Sequence, residues 1–160
     1  MIETPEIVQS PRQTVAVIRI TCPRDKIQAE VAPAIREVLA ALAAEGQRPT
    51  GPMFMHHMTM SRSQFDVELG FPTDALIQTS GRVRPSELPA ARVARAIYRG
   101  PYEGLHSAWD AFGKRLVSEK LVDPVVLAPI QTLWERYLVG PETSSDARQW
   151  CTELNLPLEL

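Results

Sequence analysis

The chain lacks the marks of several functional classes. It has no run of lysine or arginine, and its net charge is −2. Phosphate binding that ignores sequence rests on clustered cations, so no direct nucleic-acid partner is expected. No apolar stretch approaches the length of a membrane span, so no membrane partner is expected either. The first residues, Met1-Ile2-Glu3-Thr4-Pro5-Glu6, hold no basic region followed by an apolar one. No secretory leader is therefore predicted, and the expected compartment is the cytoplasm. Cysteine is scarce: Cys22 and Cys151 lie far apart, and neither belongs to a CxxC or a Cys/His cluster. Both read as reduced thiols, with a single disulfide as the alternative. Histidine is scarce too. His56 and His57 are adjacent, and adjacent strand residues point to opposite faces, so the pair cannot chelate one metal. No metal and no cofactor are expected.

What remains is a globular composition, 44% hydrophobic and 22% charged over 160 residues, enough for one domain with a real core. Its order of elements is written twice. Val15 to Ile20 is an apolar run. A helical pattern follows from about Asp25 to Glu45, with Ile27, Val31, Ile35, Val38, Leu39 and Leu42 on one stripe and Gly46 as its stop. After the turn Pro49-Thr50-Gly51-Pro52 come two strands, Met53 to Met60 and Phe65 to Pro72. Phe65, Val67, Leu69 and Phe71 alternate as a half-buried strand should. In the second half, Arg92 to Arg99 is a strand broken by Gly100-Pro101. Leu105, Ala108, Trp109, Phe112 and Leu116 mark a helix stripe ending near Lys120, facing a sheet. A loop containing Pro124 and Pro129 leads to a strand from Thr132 to Val139, and Trp150 to Pro157 closes the chain. That closing run repeats Phe65 to Pro72: an aromatic, two residues, Glu-Leu, one residue, an apolar residue, Pro.

One-sided helices need a sheet to cover. The expected fold is α+β: duplicated β-α-β-β units related by a pseudo-twofold, an antiparallel sheet with two helices on one face, and a groove for a ligand. A single domain over residues 1–160 is expected, with repeat halves at about 12–72 and 90–157. Residues 73–89, rich in Thr, Ser, Gly and Pro, read as the linker.

The residues that carry chemistry lie in Leu133-Trp134-Glu135-Arg136-Tyr137-Leu138. Desolvating an isolated carboxylate is costly unless it is paired or hydrogen-bonded, and a ligand, a cation or a transferred proton can offset that cost. A solvent-facing Glu on an edge strand is the structural alternative. Alternation places Leu133 and Tyr137 on the face of Glu135. Trp134 then either flanks the pocket from the other side or packs in the core, and Arg136 points away. Trp109 faces the sheet and is a candidate for the pocket wall. His56 or His57 could place an imidazole in the groove, with a structural or exposed role as the alternative. Glu68 and Glu153 recur at equivalent repeat positions, which suggests a shared structural task. The Met53, Met55, Met58 and Met60 run reads as adaptable packing.

Taken in order and spacing, three sets of residues resemble one family: Tyr98-Arg99-Gly100-Pro101-Tyr102-Glu103-Gly104-Leu105 with Trp109, then Trp134-Glu135-Arg136-Tyr137-Leu138 with Gly140-Pro141, and the two matched strands. The chain is similar, over nearly its whole length, to the GyrI-like small-molecule-binding domain, also found as the effector-binding domain of AraC-type and MerR-type multidrug regulators. The resemblance implies an aromatic cavity in which Glu135 meets cationic or polar ligands; in departing from the regulators, which fuse a helix-turn-helix to this domain, the sequence is expected to be a stand-alone domain, its first strand lying close to residue 1. It implies a small-molecule partner, captured through Glu135, Tyr137, Trp134, Tyr102, Tyr98, Trp109 and His56. The alternative it implies is an enzyme, since some stand-alone relatives are cyclopropanoid hydrolases. Glu135 would then be the general base, with Tyr137, Tyr98 or Tyr102 as hydrogen-bond donor. A third alternative is a protein partner, such as DNA gyrase, met through acidic surface, to which a net charge of −2 lends little. The oligomeric state stays open.

Overall fold

A computed structural model of the chain describes residues 1–123 and 132–158. The expected loop through Pro124 and Pro129 lies outside the described residues. The chain divides into two compact units, residues 11–90, and residues 1–10 with 91–160. Each is an antiparallel sheet of four strands with one helix on it, the duplicated α+β architecture that the repeat predicts.

In the contiguous unit, β2 (Gln13–Pro23), α1 (Ile27–Ala44), β3 (Phe54–Met60) and β4 (Gln64–Pro72) form the β-α-β-β order, and β5 (Arg84–Leu88) adds an edge. The ladder runs β5-β2-β4-β3, with Val15 opposite Ser86, Ile18 opposite Leu69 and Met55 opposite Leu69 from the other side. In the other unit, β6 (Ala91–Arg99), α2 (Leu105–Ser118), β7 (Leu133–Val139) and β8 (Cys151–Pro157) repeat that order, and β1 (Glu6–Ser10) is the edge. The ladder runs β1-β6-β8-β7, with Val8 opposite Val93, Ala96 opposite Leu154 and Glu135 opposite Leu154. Each edge strand is supplied by the segment that leads into the other unit: β1 runs on into β2 but pairs with β6, and β5 runs on into β6 but pairs with β2.

Two expectations are corrected. Residues 73–89 hold a strand, β5, rather than linker alone. Its Pro85 is tolerated because an edge strand can present a residue without an N–H to its open side. On α1 the buried residues are Ala34, Val38, Ala41 and Leu42, while Leu39 is 38% exposed. Small alanines lie under the helix and let it approach the sheet closely, so the apolar stripe is rotated from the one drawn by large side chains.

The core of the second unit explains where the site falls. Ala94, Ala96 and Tyr98 of β6, Leu133 of β7, and Leu154 and Leu156 of β8 turn to α2, which answers with Ala108, Phe112 and Leu116. Trp109 and Leu105 pack against this cluster while half-buried. Side chains alternate across a strand, so if Leu133 faces the helix, Glu135 and Tyr137 do also.

Candidate functional site

Glu135 is the third residue of β7 and is buried. Its carboxylate lies against α2, not on the outer face of its sheet. Trp109, on the first full turns of α2, donates its indole N–H to Oε2 at 2.8 Å. The Tyr137 hydroxyl donates to Oε1 at 2.8 Å. Among the described residues, no lysine, arginine or histidine pairs with it. Burial raises the Glu135 pKa above the usual carboxylate range, and the bonds from Trp109 and Tyr137 pull the other way. Tyr137 is pushed well above the ordinary tyrosine range, first by burial and then by the charge of Glu135 beside it. The ladder slips by a residue between Tyr137 and Val139, a bulge that turns the end of β7 at the site.

A series of aromatic side chains runs on from the two that bond this acid. Pro101 ends β6 in extended backbone, and Tyr102 begins a short 3-10 turn that enters α2. Its ring meets Tyr137 edge-on at 5.8 Å and lies over Trp150 at 4.8 Å, tilted by 35°. Trp150, just before β8, is fixed by its indole N–H on the Ser144 carbonyl at 2.9 Å. Trp109 packs on Phe112 at 5.6 Å. Trp109 and Tyr137, which bond the acid, and Tyr102 and Trp150, which extend the series from Tyr137, are each half-buried, in contrast to Glu135.

Two glycines make room. A Cβ on Gly104 would lie 2.1 Å from the Tyr98 hydroxyl, which donates to the Pro101 carbonyl at 2.7 Å and so ties the turn to β6. A Cβ on Gly140 would lie 2.7 Å from the Tyr102 hydroxyl and 2.8 Å from a carboxylate oxygen of Glu142.

Of the residues expected at the site, Glu135, Tyr137, Tyr102 and Trp109 come together. Tyr98 lies on the same face, in the core, and holds the turn that carries Tyr102. Trp134 is on the opposite face of β7, wholly buried and opposite Asn155, and does not meet Glu135. Arg136 also points away: it donates to Glu153 at 2.6 Å, which accepts from Asn155 at 3.0 Å and lies 3.4 Å from Arg95. The equivalent Glu68 accepts from Ser86 on β5 at 3.0 Å, so the recurring glutamates each bond within their own sheet. His56 belongs to the contiguous unit, where it lies opposite Glu68 and is buried. Burial lowers its pKa and that of His57 to about 4. Among the described residues no group of three metal-ligating side chains occurs.

Sequence reasoning missed Trp150 and Glu142 as members of this cluster. The repeat did signal Trp150, by matching it to Phe65. Glu142 sits in an irregular loop and left no periodic trace.

The duplicated α+β unit defines the fold class, and a comparison with known families gives the family. The profile of the GyrI-like small molecule binding domain matches residues 3–158, and the chain belongs to that family. Among solved structures it is similar to the C-terminal domain of EcmrR, with a TM-score of 0.77, 20% identity, and 96% of each chain covered. In the complex of EcmrR with DNA the TM-score is also 0.77, and the chain spans 56% of the EcmrR chain. It is similar as well to SAV2435 bound to tetraphenylphosphonium, with a TM-score of 0.65, 12% identity, and 97% and 93% of the two chains covered. None of the curated proteins matches it in sequence. No helix among the described residues is long and apolar enough to cross a membrane.

Proposed function

We propose that this domain captures an amphipathic cation, with Glu135 answering the charge and Tyr102, Trp109, Tyr137 and Trp150 receiving the apolar body. The observation that carries this is a mismatch in burial. The acid is buried without a cation among the described residues, while the four aromatics around it are only half-buried. A core built for stability alone would bury the rings and leave the charge in water. Two neutral donors offset part of the cost of burying the carboxylate, and a bound cation offsets the rest. Ring faces add cation–π attraction. The tetraphenylphosphonium complex of SAV2435, a neighbour in fold, lends support from ligand chemistry.

The test compares wild type with Glu135→Gln for binding of tetraphenylphosphonium by calorimetry. Glutamine fits the site: its oxygen accepts from Trp109 and its amide donates to the Tyr137 oxygen. Loss of one charge-assisted contact weakens binding by about 1.5–3 kcal/mol, roughly tenfold or more. Affinity also rises with pH in wild type and not in the variant, because the raised pKa of Glu135 makes ionisation a condition of binding. Equal affinity in two folded proteins would return Glu135 to a structural role.

A second reading is hydrolysis of a strained cyclopropane ring. A carboxylate held above its usual range is a stronger base, which favours Glu135 as general base to a water, with Tyr137 orienting. A neighbour in fold, encoded by lin2189 of Listeria innocua, is described as a hydrolase. Under this reading Glu135→Gln lowers turnover of a cyclopropane-bearing substrate by about 10²–10⁴-fold. No turnover in wild type leaves capture as the function.

A further inference from the structure

We infer that the preferred ligands carry two cationic centres on one aromatic body, Glu135 answering the inner charge and Glu142 the outer. This rests on the capture reading above and extends it to a class of ligand. The two carboxylates lie at opposite ends of one aromatic series. Glu135 is bonded to the Tyr137 hydroxyl at 2.8 Å, and the Tyr137 ring meets Tyr102 at 5.8 Å. The far side of Tyr102 is its hydroxyl, which converges with the Glu142 carboxylate on the space beside Gly140. Both acids raise the pKa of Tyr102 after burial, with Glu142 the larger influence of the two.

Among the exposed acids, Glu142 is one without a cation partner among the described residues, and it borders Tyr102. Exposed or partly exposed acids in this chain commonly hold an arginine: Glu3 with Arg99, Glu37 with Arg82, Asp66 with Arg19, Glu87 with Arg12, Glu119 with Arg115. Glu142 is exposed and has no cation among the described residues. Arg148, in the same loop, is turned onto Asp146 by two bonds at 3.1 and 3.0 Å. The cation of this loop is thus engaged by Asp146 and not by Glu142, the loop's acid beside Tyr102. Gly140 serves the same end, since any side chain there would fill the space on which Tyr102 and Glu142 converge.

Ethidium and propidium share one phenanthridinium ring system, and propidium adds a quaternary ammonium on an alkyl arm. Fluorescence titration of both dyes into wild type, Glu142→Gln and Glu135→Gln tests the inference. Wild type is expected to prefer propidium by about threefold to fivefold at low ionic strength, the scale of one exposed charge pair. That preference shrinks in about 0.5 M salt, because Glu142 is exposed to screening. In Glu142→Gln the propidium preference is lost, and the two dyes bind with affinities within about twofold of one another. In Glu135→Gln both dyes weaken by roughly tenfold or more. Absence of a propidium preference in wild type, or its survival in Glu142→Gln, overturns the two-charge inference and leaves the capture reading standing. If Glu135→Gln binds both dyes as wild type does, or wild type binds neither, the capture reading fails and this inference fails with it.

Discussion

The two units are the same scaffold furnished differently. In each, a proline precedes a 3-10 turn of three residues that enters the helix, Pro23 before α1 and Pro101 before α2. In each, the strand after the helix slips register at one place, after His57 in β3 and after Tyr137 in β7. Shared landmarks make the positions correspond. Met55 stands where Glu135 does, both opposite the leucine of a Glu-Leu pair. His57 stands for Tyr137, Phe65 for Trp150, Arg24 for Tyr102, and Val31 for Trp109 as fifth residue of its helix. The contiguous unit thus has Met55 in place of the acid and places its own cation nearby. The Arg24 guanidinium lies 4.4 Å over the Phe65 ring and donates to the Ser61 carbonyl, and His57 packs on Phe65 at 5.7 Å. One half places an internal arginine on its aromatic ring; under the capture proposed above, a ligand takes that place in the other. Backbone architecture therefore does not make the site; five side chains do.

The comparison can be broken first at its core. Leu69 and Leu154 are fully buried at equivalent positions. Leu69→Ala and Leu154→Ala are each expected to cost about 2–5 kcal/mol in urea denaturation. A loss from only one of them would mean that the halves are not packed alike.

Acid should separate the halves. His56 and His57 have folded-state pKa values near 4 against an ordinary 6.5. A depressed value means that the unfolded chain binds protons first. Their contribution is intact above pH 6.5 and is lost as pH falls through about 4, at most about 3 kcal/mol for each. Glu135 has the opposite sign: its raised pKa makes the folded state the better proton acceptor, so the cost of burying its charge is relieved as pH falls. Hydrogen exchange between pH 7 and about 4 should show residues 11–90 losing protection before the Glu135 cluster does. Simultaneous loss would remove the histidines as the cause.

A finer contrast lies in the helices. Trp109→Phe keeps a ring and removes the N–H on Glu135, and is expected to cost about 1.5–3 kcal/mol in stability or cation binding together. Val31→Ala at the matching place should cost only about 0.5–1.5 kcal/mol of packing and leave binding unchanged. Smallest is Gly140→Ala. The added methyl must displace Tyr102 or the flexible end of Glu142, and about 1 kcal/mol is expected in thermal unfolding. Met60, which corresponds to Gly140 in the other half, is 40% exposed, so Met60→Ala should be nearly silent.

Much of this is legible in the sequence. Periodicity of two placed Tyr137 beside Glu135, and the stripe of α2 placed Phe112 and Leu116 on the sheet. The matched strands β4 and β8 revealed the duplication. What periodicity cannot give is which helix residue meets which strand residue. The bond from Trp109 to Glu135 joins elements 26 positions apart and depends on how α2 sits on its sheet. β1 and β5 were invisible because five-residue edges with one open side, one of them containing Pro85, carry too little alternation to register. Trp134 illustrates the converse. A tryptophan next to the acid in sequence is, on a strand, the residue turned farthest from it.

The crossing of the edge strands has a consequence for synthesis. Residues 11–90 are contiguous and can close their four strands as soon as β5 has emerged. β1 is made before β2, yet its partner β6 is made some eighty residues after it, so its open edge must wait. Translation from the N-terminus thus completes the half without the acid before the half that holds Glu135 exists. The half with the buried charge is assembled last, its first strand already anchored by two residues, Pro11 and Arg12, to a finished neighbour.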